Sequence, residues 1–190
     1  MRSSVDKKIN GQLGNHPDYQ RALFSEVEKH FNSAKLLMLM QFDTHSVTQE
    51  LERGEDAQNL SGTLDGYGNL YSFLGFTSNP IPALRREIDK RSYIDRTVSA
   101  NGKLLSFACH IPDPSDLNSV GKLPWAFGGS WMSGIEKGIP NFYHFLYDER
   151  GNSRSGGGIQ VDERLRSSSF SPIPYLTPIL EQFKSLLSRI

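Results

Sequence analysis

The stretch Asn59–Phe76, NLSGTLDGYGNLYSFLGF, sets the tightest limit on how this chain folds. Four glycines (Gly62, Gly66, Gly68 and Gly75) are interleaved with Tyr67, Leu70, Tyr71, Phe73, Leu74 and Phe76. Glycine lets the backbone turn where a side chain would clash, whereas a cluster of aromatic rings is driven out of water. The pattern therefore reads as a tightly folded connector pinned onto a core, and its physics names no function.

The elements around it supply that core. Residues 1–16 are polar apart from Val5, Ile9 and Leu13 and are expected to form a flexible or partner-ordered arm, leaving 17–190 as a single α+β domain. Pro17 and Asp18 suit a first helical turn, after which Leu23, Val27, Phe31, Ala34 and Met38 recur at helical spacing through about Met40. The run KLLMLMQF at its end is apolar nearly all round and is read as a buried helix end rather than an exposed contact patch. Thr44–Arg53 predicts a short second helix stopped by Gly54, and Ala83–Lys90 a third, after Pro80 and Pro82.

Asn101-Gly102 is the clearest hairpin signal, because both residues tolerate the positive φ of a type I′ turn. Leu104–Ile111 then alternates as one strand, with Cys109 on the face of Leu105, Phe107 and Ile111, toward the core. Phe127–Gly138 reads as irregular, Asn141–Tyr147 as a second strand, 149–158 as an exposed loop, and Ile159–Phe170 as an edge strand or extended segment. The last helix is expected to start with Thr177 as N-cap and Pro178 at its first position, and its apolar face includes Ile179, Leu180, Phe183 and Leu187. The expected architecture is α+β: an antiparallel sheet of at least three strands packed against a long N-terminal helix and a C-terminal amphipathic helix.

Charge and motifs narrow the function mostly by exclusion. Lysine plus arginine (21) equals aspartate plus glutamate (21), so no net field draws the chain to nucleic acid or anionic lipid. No apolar run approaches the roughly 20 residues that cross a bilayer. The N-terminus has positive charge without an apolar stretch behind it and does not read as a secretory signal. The lone Cys109 excludes an internal disulfide and a multi-cysteine zinc site, and its apolar neighbours argue against a reactive thiolate. Gly128-Gly129-Ser130-Trp131-Met132 fails the nucleophile-elbow pattern at its final glycine. Neither glycine cluster at 62–68 completes a phosphate-loop or dinucleotide fingerprint. His16, His30, His45, His110 and His144 show no metal-ligand spacing, although the strand pattern allows His110 and His144 to be cross-strand neighbours. No catalytic residue, metal or cofactor is expected.

What remains is an interaction reading. Tyr67, Tyr71, Trp125 and Trp131 lie in glycine- or proline-punctuated segments, and aromatic and arginine residues are the usual anchors of interfaces. Core packing is the competing and individually stronger account of each ring.

Four segments in this order resemble the small neck proteins of tailed bacteriophages, the group that completes the tail, terminates it or joins head to tail. They are NLSGTLDGYGNLYSFLGF, LPWAFGGSWMSGIEKG, SRSGGGIQ (Ser153–Gln160) and PIPYLTPILEQF (Pro172–Phe183), together about a third of the chain. The chain departs from the group in a longer N-terminal arm and an insertion before the last helix. The resemblance implies a non-catalytic structural virion protein, assembled in the host cytoplasm into a ring, commonly six-fold, around the DNA channel. Its partners would be further copies and other neck, tail or portal-side proteins, with Arg154, Arg164 and Arg166 available to a neighbouring subunit or to channel DNA. The rival readings are a non-catalytic cytoplasmic protein-binding module and an unrecognised enzyme using the 128–138 loop with His110 or His144.

Overall fold

A long helix, α1 (Pro17–Thr44), forms the spine of the molecule. The computed structural model describes residues 16–64, 68–95, 99–101, 104–122, 130–138, 145–147, 158–160 and 170–188. Pro17 sits in the first turn of α1, and the His16 ring caps it by accepting a hydrogen bond from the Asp18 amide at 3.3 Å. Phe31, Ala34, Met38, Leu39 and Phe42 form its buried face. At 1.5 Å per residue the helix is about 42 Å long.

His45 ends α1 in an extended conformation and caps α2 (Ser46–Arg53), its Nδ1 accepting from the Val47 amide at 3.3 Å. Gly54 stops α2 with φ 68°, a left-handed conformation that glycine adopts without Cβ strain, as its place in the sequence predicts. After a 3-10 turn at Gly54–Asp56, the connector descends to a single helical turn, α3 (Leu70–Phe73). Asn69 caps that turn through Oδ1, which accepts from the Ser72 amide at 2.9 Å. Its Nδ2 donates to the carbonyls of Glu55 and Ala57, so the whole amide is used. Leu64, Leu70, Tyr71 and Leu74 are buried, and the connector is pinned to the core as its composition requires.

α4 (Ile81–Arg91) buries Ile81, Leu84 and Ile88 and is tied to α1 at two places. Arg85 forms a two-pronged pair with Asp43 at 2.8 and 3.0 Å. Lys35 Nζ donates to the Asp89 and Ser92 carbonyls at 2.7 and 2.8 Å, covering the otherwise open C-terminal end of α4.

Beyond α4 lies an antiparallel hairpin in two pieces. β1 (Tyr93–Ile94) pairs with β4 (Cys109–His110), and β2 (Ser99–Asn101) pairs with β3 (Leu104–Ser106). The hairpin stands where Asn-Gly predicts it, but Asn101 belongs to the ladder itself, paired with Leu104. In the outer ladder Ile94 faces Cys109, and in the inner one Ser99 faces Ser106.

α5 (Trp131–Lys137) and α6 (Leu176–Leu187) close the fold, with α6 packed along α1. The core is one cluster running from Phe31 of α1 through Leu70, Leu84 and Trp131 to Phe183 of α6. Burying each such side chain contributes about 1.5–3 kcal/mol relative to exposure.

Several expectations are corrected. Strands pair only two by two: β5 (Phe145–Tyr147) joins β6 (Gly158–Gln160), and no ladder among the described residues gains a third strand. The structure is mixed helix and strand but mostly helical. Leu104–Ile111 is not one strand but is broken at 107–108, and Cys109 is exposed, in a ladder that has only two strands among the described residues. The segment read as irregular contains α5, which buries Trp131, Met132 and Ile135 and stops at Gly138 with φ 88°. α6 starts before Thr177, with Tyr175 at the N-cap position. The apolar end of α1 is only half buried, since Leu36, Leu37 and Met40 are exposed. The N-terminal arm through residue 15 lies outside the described residues, as does the 149–158 loop except for Gly158, which begins β6 instead.

Candidate functional site

Of the residues nominated as interface anchors, Tyr71 and Trp131 are described, and both lie in the core at 7% and 0% exposure. The Tyr71 ring lies 6.0 Å from Phe76, which meets Trp131 edge-on at 5.7 Å. Trp131 in turn lies 6.2 Å from Tyr175. Packing within the chain thus accounts for these two rings, which have no surface left for a partner. Tyr67, Trp125, Arg154, Arg164 and Arg166 lie outside the described residues.

Two glutamates missed at the sequence level organise this region. Glu50 of α2 is fully buried and accepts from the amides of Ser61 and Leu70, each at 2.7 Å, so one carboxylate grips the connector at both ends. Glu136 of α5 does the same for α6: Oε1 accepts from the amides of Tyr175 and Thr177, and Oε2 from the Thr177 hydroxyl at 2.7 Å. A negative side chain at a helix N-terminus also complements the helix dipole. Their partners lie 11 and 20 residues from Glu50 and 39 and 41 from Glu136, so no local motif announces them. In both, the carboxyl oxygens are committed to chain atoms, an arrangement that positions backbone rather than transferring protons.

His45 joins the two sites. Its ring lies 4.9 Å from that of Tyr175, whose hydroxyl is 2.9 Å from Thr48 Oγ1. Burial lowers the pKa of His45 below its ordinary value, against the Pro174 carbonyl and the charge of Glu136, which favour the protonated ring. Full burial raises that of Tyr175. The exposed Cys109 keeps enough burial to push its thiol up, away from thiolate reactivity. His110 stacks on Tyr93 at 4.2 Å, while His144 lies outside the described residues. Among the described residues no group of three or more His, Cys, Asp or Glu is placed to hold a metal, and no helix is long and apolar enough to cross a membrane.

The surface offers one concentrated feature. Leu36, Leu37 and Met40 of α1 are 60%, 49% and 52% exposed. At about 100° per residue they fall within a 100° arc, on the side of the helix opposite Phe31, Ala34, Met38 and Phe42. The other large exposed apolar residues among those described, Tyr19, Leu60 and Tyr93, are scattered. A ridge of two leucines and a methionine within one helical turn is the apolar surface that protein contacts use.

No family model, curated protein or solved structure matches the chain.

Proposed function

We propose that this chain is a structural protein of the neck or tail of a tailed bacteriophage, located in the virion and acting by assembly into a ring around the DNA channel. The ordered resemblance of four segments supports the class. The ridge of Leu36, Leu37 and Met40 carries the assembly part, because it exposes apolar surface that a neighbouring protein would remove from water. The two glutamate clamps fit the same reading: they fix the connector and the last helix, giving a rigid subunit on which contact surfaces keep their positions. The partners would be further copies, other neck or tail proteins and portal-side proteins, with individual arginines free to meet channel DNA.

Light scattering on the full chain, alone and mixed with tail and portal proteins of the same particle, tests this. The expected result is a ring or a stoichiometric complex in at least one mixture. A strictly monomeric species in every mixture would favour the independent binding-module reading instead.

A further inference from the structure

The ring reading restricts what can cover the α1 ridge. A closed ring of more than two copies requires heterologous contacts, in which one surface meets a different surface on the next copy. Ridge against ridge is isologous and stops at two. The ridge therefore needs an apolar counterpart elsewhere in the chain, and Val5, Ile9 and Leu13 provide one in an otherwise polar segment. They are spaced four apart, as are Leu36 and Met40, so a helical or an extended backbone presents them on one side.

Reach separates a neighbour from the same chain. Leu36 lies about 29 Å along α1 from Pro17, at 1.5 Å per residue. Folded back and fully extended, the segment carries Leu13 about 14 Å and Ile9 about 27 Å from Pro17, at ~3.4 Å per residue. Only Val5 passes Leu36, and a helical segment falls short altogether. The three residues cannot gather on the ridge of their own chain.

We propose that the ridge of Leu36, Leu37 and Met40 is the seat for Val5, Ile9 and Leu13 of a second copy of this chain. The proposal rests on the ring reading and names the contact that would propagate it: each copy seats the arm of one neighbour and gives its own to the other. The contact is apolar on both sides, so added salt leaves it intact, whereas a contact built on ion pairs weakens as salt screens them.

Disulfide trapping tests it. In a full chain carrying Cys109→Ser, Ile9→Cys is placed in one preparation and Met40→Cys in another of different tag length, and the two are mixed and mildly oxidised. The expected product is a disulfide between the two different chains, and a chain carrying both substitutions should give a ladder of linked oligomers. The additional substitutions Leu36→Ser and Leu37→Ser, which touch only exposed side chains, should reduce the trapped product at least tenfold without moving the melting temperature. An internal 9–40 bridge in the doubly substituted chain, or no bridge, overturns the proposal. Oligomers seen by light scattering without a bridge reject this seat while leaving the ring reading standing.

Discussion

Glu136 holds Thr177 at two points: one carboxyl oxygen accepts from its amide and the other from its hydroxyl, both at 2.7 Å. A side chain on one helix thereby caps another across the core, taking the place of a local N-cap for α6. Glu136→Ala should destabilise the fold by about 2–3 kcal/mol, and Thr177→Val by about 1 kcal/mol. Urea unfolding measures both. A double mutant whose loss equals that of Glu136→Ala alone would show that the hydroxyl acts only through this carboxylate.

Glu50 is the more costly residue to remove. With it gone, the amides of Ser61 and Leu70 lose their acceptor, the second inside the core. Glu50→Ala is expected to cost about 3–5 kcal/mol and Glu50→Gln, which keeps one acceptor oxygen, about 1–2 kcal/mol. Limited proteolysis should find new cleavage between residues 58 and 69 in the alanine variant first.

Two connector residues separate core from edge. Leu70 is fully buried, so Leu70→Ala should cost about 2–5 kcal/mol. Phe73 is half-buried and stacked on Phe170 at 5.7 Å, so Phe73→Ala should cost less than Leu70→Ala. An unchanged melting temperature for Leu70→Ala would contradict the placement of the connector in the core.

Stability should fall with acid through His45. Its pKa in the fold is lowered from 6.5, so below that pH the unfolded chain takes up the proton more readily than the folded one. This residue therefore leaves stability unchanged above pH 6.5 and erodes it as pH falls toward the lower folded value. Protonation at Nδ1 also removes the acceptor that caps α2. His45→Asn retains a capping oxygen without a titrating ring, and its chemical-denaturation midpoint should vary less between pH 7 and about pH 5 than that of the parent.

Long-period patterns made the helical frame readable. Apolar spacing located α1 and α6, and Gly54 marked the end of α2 because only its left-handed conformation terminates the helix there without strain. The hairpin was announced by Asn-Gly, yet its register was not, since the loop position depends on which pairs meet across the strands. Helix α5 went unread because Gly134 and the neighbouring Gly-Gly-Ser dilute a seven-residue apolar pattern whose helicity comes from docking Trp131 and Ile135. Alternation alone points Cys109 inward, a rule that holds only where something covers one face, and the residue is exposed. Glu50 and Glu136 looked like ordinary surface acids, because their partners are backbone amides brought near only by the fold. The exposed half of KLLMLMQF follows from helix geometry: a strip apolar all round buries only the side another element reaches.

The ring claim meets its most direct test in an electron-microscopy map of an assembled particle with this protein located by a labelled tag. Density for several copies arranged as a closed ring between head and tail, with the outer face of α1 covered by a neighbouring chain, is the predicted result. A particle lacking the protein, or one carrying it as isolated copies with Leu36, Leu37 and Met40 open to solvent, would contradict it.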